Sequence, residues 1–410
     1  MNSSLLLLLP LQLGLVLLTA HGLGYLAHRL GQPRLIGQMA AGLLLGPWAL
    51  GSLWPELQRW LFAAAQTPWL ALLGQTGLAL FMLGMGLEFR LSGWGALLPR
   101  ALRVAGVAFA LPFVLGGLLA YFLLEGAGNF GAVSPPIALG FLALALAVTA
   151  FPVLARMLQE AGLSGSRLGV LVLLSASLGD GVAWTLLTVL LALMGSGSHN
   201  LALELLKVAL YLAAMGLVVR PLLTVLWPRV SKSAQLLTLL PLLLLSVFFA
   251  EKVGLHAVLG AFLLGLTVPR SRANPRPQSV LRPLEPLTLN FLLPLYFAYA
   301  GLGVTFSQLG GASSWILLLI LVLLASLGKV GGGFWAARSL GEPLPWALAV
   351  GVLMNARGLI ELVLLHIGLE RGILTAKLYS LMVLMTFVTT ALTPPLFQAL
   401  RRRFPGFETV

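Results

Sequence analysis

Residues 168–194 read LGVLVLLSASLGDGVAWTLLTVLLALM. One aspartate is the only charge in a run longer than the ~20 apolar residues that carry a helix across a ~30 Å hydrocarbon core. Asp180, the sole aspartate of the chain, therefore falls deep inside a membrane span, about 20 Å along the helix from Arg167. Working outward from this stretch, apolar runs bounded by proline, glycine or charge predict further helices. The full set is 5–29, 34–51, 68–88, 98–123, 135–157, 166–194, 200–226, 234–250, 254–269, 283–304, 313–337, 345–367 and 374–399, thirteen in all. The first run lacks a preceding basic segment and reads as a membrane helix rather than a cleaved signal.

Composition points the same way. Hydrophobic residues make up 59% of the 410 and charged residues 9%, against ~25% charged in soluble domains. That is too little charge to coat a water-facing surface, so the expected fold class is an all-α polytopic membrane protein. The net charge of +13 would suit a nucleic-acid binder, but its distribution argues otherwise. With the N-terminus outside, eighteen basic residues face the cytoplasm and five (Arg59, Lys207, Lys252, Arg371, Lys377) face away. Basic residues concentrate on the cytoplasmic side of membrane proteins. The expected placement is therefore a bacterial inner or plasma membrane, N-terminus outside and C-terminus cytoplasmic, with no nucleic-acid partner. Zero cysteines exclude disulfides, zinc–thiolate sites and iron–sulfur clusters. No metal-ligand spacing, Walker loop or Ser–His–Asp set is present, so no cofactor is expected. His256 and His366 read as packing or surface residues.

Two echoes suggest internal duplication. IGQMAAGLLLGP at 36–47 is matched by LGAFLLGLTVP at 259–269, pairing Gly42 with Gly265. LFMLGMGLEFRLS and LYFAYAGLGVTFS then pair Gly86 with Gly301. Seven spans separate the partners, so the repeats, about 34–194 and 254–399, run in opposite orientation, with helices at about 200–250 linking them. Inverted repeats of this kind place a transport site near mid-membrane. The fourth helix of each repeat carries a break. In the first it is Thr149-Ala150-Phe151-Pro152, where Pro152 removes a hydrogen bond and frees backbone oxygens near Val148. In the second it is Asn355-Ala356-Arg357-Gly358. Unwound backbone at this depth is tolerated only inside protein or beside a watery cavity.

Asp180, Lys329, Arg357 and Glu361 are the charges that bear on a mid-membrane site. Membrane carboxylates usually face a cavity and have a function. Asp180 there can hold a proton or a monovalent cation but not both, the minimal chemistry of an antiporter. Lys329, about 13 Å from Arg338 along its helix, is read as a charge-balancing group directed at the site. Arg357 and Glu361 are four residues apart, the spacing of a core ion pair. Breaking that pair should cost stability, and swapping its charges should partly restore it.

TAFPVLARML, SLGDGVAW, LGKVGGG and MNARGLIELVLLHIGLERGILTAKLYSLMVLMTFVTTALTPPL resemble the monovalent cation:proton antiporters. The resemblance is closest to their second family, bacterial sodium or potassium/proton exchangers and plant cation/proton exchangers, and it spans the whole chain. It implies thirteen helices, two crossed broken helices, a homodimer in lipid, and elevator-like exchange of Na⁺ or K⁺ for H⁺ without enzymatic activity. It places the essential aspartate at Asp180, the broken-helix threonine at Thr149 and the core lysine at Lys329. Members usually carry a polar residue or second acid before the aspartate, whereas Gly179 stands here, which favours 1:1 electroneutral exchange. The chain ends soon after its last helix, so no soluble regulatory domain is expected. A cation channel and a membrane-embedded lipid-modifying enzyme are the competing functions. The first would use the same broken helices; the second would need an acid/base or metal cluster.

Overall fold

A computed structural model describes the chain except residues 1–2, 48, 63–66, 89–96, 125–127, 196–200, 254, 256, 270–276, 305–308 and 408–410. His256, with Arg90, Arg270, Arg272 and Arg276 of the charge count, lies outside the described residues. In chain order, α1 is Ser3–Arg29, α2 Arg34–Leu45, α3 Leu50–Leu53, α4 Pro55–Leu61, α5 Thr67–Glu88 and α6 Leu98–Leu124. α7 (Pro135–Ala147) and α8 (Phe151–Glu160) form one broken pair, followed by α9 (Arg167–Gly195). α10 (Leu201–Ala214) passes through a π-helical turn, Met215–Val219, into α11 (Arg220–Leu226); α12 is Lys232–Lys252 and α13 Ala257–Thr267. α14 (Glu285–Leu287) leads through a second π turn, Thr288–Leu292, into α15 (Leu293–Leu302), and α16 is Ala312–Ser339. α17 (Leu344–Met354) and α18 (Leu359–Glu370) form the second broken pair, and α19 is Ala376–Arg403.

Among the described residues, nine helices are long and apolar enough to cross a membrane. The two broken pairs, the shorter α13, and the π turn with α15 complete the thirteen expected crossings. Several boundaries differ from the expectation, and proline explains them. The helix expected over 34–51 stops at Leu45, with Gly46 extended, because the residue before a proline (here Pro47) is driven from the helical region. Each π turn ends two residues before a proline, Pro221 and Pro294. The carbonyls that those prolines cannot serve belong to Leu217 and Asn290, midway along each turn. Widening there relieves the ring–carbonyl clash that proline imposes.

The chain divides into two compact units. One comprises Ala64–Gly93 and Thr188–Tyr299. In it α13 packs between α5 and α12, and the second π turn lies on α5. A Cβ added at Gly86 would come within 2.2 Å of Phe262 O, and one at Gly265 within 2.4 Å of Leu83 O, so both helices need glycine at the crossing. The other unit comprises Asn2–Ala63, Trp94–Leu187 and Ala300–Val410. There α6 packs on α7 and α16, α16 on α17 and α19, and α1 on α2. A Cβ at Gly301 would meet the Gly42 carbonyl carbon at 2.2 Å. The echo positions thus meet twice, Gly86 with Gly265 in one unit and Gly301 with Gly42 in the other.

In this second unit Glu342, buried in the turn between α16 and α17, accepts from Arg100 of α6 at 2.9 Å and Arg167 of α9 at 2.5 Å. Arg338 donates to its backbone oxygen at 2.7 Å. Glu342→Gln should leave the guanidiniums of Arg100 and Arg167 sharing a neutral partner. Because Arg100 and Arg167 are partly solvated, we expect a loss of about 1–2 kcal/mol, below that of a fully buried pair. Thermal unfolding of the purified protein would read it, and the difference from wild type should shrink in high salt.

Candidate functional site

The two breaks touch. Val148 at the end of α7 is extended (φ −65°, ψ 141°), and Ala150, which precedes α8, is also extended. Gly358, which opens α18, adopts φ 149°, a conformation that side chains disfavour. Between the breaks the Ala150 N–H donates to Ala356 O at 3.0 Å, and the Thr149 hydroxyl donates to Met354 O at 3.1 Å. Pro152 sits in the first turn of α8, where its missing N–H would have lacked a helical partner anyway.

A helix end leaves its last four carbonyls without intrahelical donors, and at α7 all four are accounted for. Leu144 O accepts from the Val148 N–H at 3.2 Å. Ala145 O and Leu146 O accept from the Arg357 guanidinium at 3.0 and 2.5 Å. Ala147 O accepts from the Lys329 ammonium, which also donates to Thr149 Oγ1 at 2.6 Å. Two cations thus sit where the helix dipole is negative. Lys329 further lies 5.9 Å from the centre of the Phe109 ring, a cation–π distance. The lysine bonds oxygens of Ala147 and Thr149, and the carbonyls of 145–147 are taken by Arg357 and Lys329.

Asp180 stands at the opposite pole of this break. It lies on α9, and its Oδ2 accepts from the Phe151 N–H, the first of α8, at 3.4 Å. The positive end of that helix favours an anion there. Its Oδ1 is buried and has no hydrogen-bond partner. Gly179 and Gly181 leave open space beside it, since an added Cβ at either would meet nothing within 4 Å. Asp180 itself is 8% exposed.

The second break holds an internal ion pair. Arg357 and Glu361 are fully buried, 3.0 Å apart, with Glu361 in the first turn of α18. Asn355 donates to Thr389 O at 3.5 Å, and the Thr390 hydroxyl both accepts from the Arg357 N–H at 3.2 Å and donates to its carbonyl at 3.0 Å. The threonines of α19 (386, 389, 390 and 393) were not singled out in sequence, although their i, i+3, i+4, i+7 spacing marks one helix face. Glu342 and Phe109 were missed too, and neither carries a sequence signal of its contacts. The structure thus gathers Thr149, Lys329, Arg357, Glu361, Asn355 and Gly358 around the crossing, with Asp180 at the start of α8. His366 lies apart, within 3.0 Å of Glu370.

Known proteins share this architecture. The sequence profile of the sodium/hydrogen exchanger transmembrane family matches residues 15–400. Cation/H(+) antiporter 17 of Arabidopsis thaliana is 35% identical over 97% of the chain, which spans 49% of that relative's length. The chain thus covers about half the length of the plant relatives it matches. Na(+)/H(+) antiporter NhaS4 of Synechocystis is 33% identical over 97% of the chain and 98% of its own. The sodium proton antiporter MjNhaP1 of Methanocaldococcus jannaschii superposes with a TM-score of 0.64 at 15% identity, over 97% of this chain and 96% of that one. The fold is the all-helical sodium/proton antiporter fold.

Proposed function

The chain belongs to the sodium/hydrogen exchanger transmembrane family, and from that premise we propose that it exchanges Na⁺ or K⁺ for H⁺, with Asp180 as the site the two ions share. The observation that carries the reading is the half-partnered Asp180 carboxylate: Oδ2 is held by the start of α8 while Oδ1 is buried with no bond. An ionised carboxylate left so in a dry interior costs several kcal/mol, and a bound proton or small cation removes that cost. Thr149 and the Val148 carbonyl, which Pro152 cannot serve, lie on the adjoining chain segment as further oxygens.

Stoichiometry follows from charge counting. Asp180, Lys329, Arg357 and Glu361 sum to zero when all are ionised. One H⁺ or one monovalent cation on Asp180 brings the site to the same charge, so the exchange is 1:1 and electroneutral. The count gives Lys329 one fixed charge, its Nζ bonding Ala147 O and Thr149 Oγ1. The bonds from Lys329 and Arg357 tie α7, the Thr149 segment, α16 and the α17–α18 pair into one body. Elevator-like alternating access in a homodimer, N-terminus outside, is the mode consistent with such a body.

In proteoliposomes, a pH jump with Na⁺, K⁺ or Li⁺, with and without a valinomycin clamp, tests this: exchange should be insensitive to the clamp. Voltage-dependent exchange would reject the charge count. Lys329→Gln should slow exchange roughly tenfold, in line with losing a charge-assisted hydrogen bond worth ~1.5–3 kcal/mol, while leaving it electroneutral. Unchanged kinetics would make the lysine dispensable.

A further inference from the structure

Away from the broken helices, the unit formed by Ala64–Gly93 and Thr188–Tyr299 carries a groove of about 550 Å³ between the α10–π turn segment and α12. Nearly all its exposed lining is apolar. Its long axis can be measured on two antiparallel walls. One wall runs from Lys207 to Val219 and the other from Val253 back to Leu242, about 18 and 16 Å at the helical rise. Half of a ~30 Å hydrocarbon core is about 15 Å, so the groove is as deep as one leaflet. It exists because small Ala214 and the π turn leave a hollow, while Tyr211 is drawn inward. The Tyr211 hydroxyl pairs with Ser246 Oγ at 2.8 Å, and Ser246 donates to Gly260 O at 2.8 Å. The wall is thus fixed by hydrogen bonds, yet Leu210 and Phe249 on its rim stay largely exposed.

The two ends differ. Val219 and Leu242 close the deep end. At the other lie the Lys207 side chain and the last turn of α12, where Lys252 stands 5.5 Å from the centre of the Phe248 ring. A leaflet-deep apolar slot lined at its interfacial end by one ammonium group, that of Lys207, matches an acyl chain joined to an anionic headgroup. We propose that this groove is a binding site for an acidic phospholipid of the leaflet on the Lys207 side. One acyl chain lies along the groove and the phosphate meets Lys207.

Purified protein titrated with phosphatidylglycerol or phosphatidylcholine, read by thermal unfolding and native mass spectrometry, tests this. Phosphatidylglycerol should bind roughly fivefold tighter than phosphatidylcholine, about what one basic residue near an anionic lipid contributes. Lys207→Gln should erase that preference. Ala214→Trp should fill the groove and abolish the lipid-dependent shift of both, with oligomeric state unchanged; Leu245→Trp blocks the same wall should the first variant fail to fold. Equal binding of the two lipids by the wild type would overturn the proposal, as would a shift that survives both tryptophans. An altered oligomeric state with lipid binding intact would assign the groove to a second copy of the chain and overturn it equally.

Discussion

Asp180→Asn is expected to abolish exchange while leaving the protein folded. Asparagine keeps an oxygen that can accept from the Phe151 N–H, so the start of α8 retains its partner. The variant loses only the charge. A carboxylate and a monovalent cation ~4 Å apart interact by about 4 kcal/mol at an effective dielectric of 20, roughly three orders of magnitude in affinity. The amide also cannot release a proton, so both halves of the cycle fail together. Dequenching of a pH dye in proteoliposomes should fall to the rate of empty vesicles, and the thermal midpoint should hold. Asp180→Glu should retain measurable exchange, since it keeps a carboxylate at the start of α8. In the wild type, competition at one carboxylate fixes the sign of the pH effect. Lowering the pH protonates more of it, so the cation concentration for half-maximal exchange should rise, approaching tenfold per pH unit on the acid side. Robust exchange by the asparagine variant would remove Asp180 from the mechanism.

The spans, the buried Asp180 and the two breaks were legible because each violates a simple expectation for a membrane helix. A charge, a proline or an asparagine–glycine pair in a long apolar run is conspicuous in one dimension. What these features bond to was not legible, because the partners are far apart in sequence. Lys329 lies 180 residues from Thr149, and nothing in LGKVGGG says that its target is a helix end rather than a carboxylate. Arg357 reached the sequence reading as half of a local pair because four-residue spacing is visible there. Its bonds to Ala145 and Leu146 depend on where α7 stops, and α7 stops at Ala147 only because the next three residues run to the second break. The π turns were invisible for a different reason: a proline announces a local defect but not whether the helix kinks, ends or widens.

Arg357→Met should be the most destabilising single change. It leaves Glu361, fully buried, without its counter-ion and strips two helix-end carbonyls of their donors. Removing one partner of a buried pair costs about 3–5 kcal/mol, and each orphaned carbonyl adds about 1–3 kcal/mol. Against a native stability of about 5–15 kcal/mol the sum is close to complete unfolding. A large fall in folded yield and thermal midpoint is the expected readout. Glu361→Gln should be milder, because the guanidinium keeps both carbonyls and the amide can still accept from it. The charge swap, Arg357→Glu with Glu361→Arg, separates a simple pair from this three-way arrangement. A pair would be partly rescued, as its spacing alone suggested. Here the swap points a carboxylate at Ala145 O and Leu146 O, so no rescue is expected and the double variant should be no more stable than Arg357→Met. A swapped protein melting near wild type would mean that the carbonyls of α7 do not depend on Arg357.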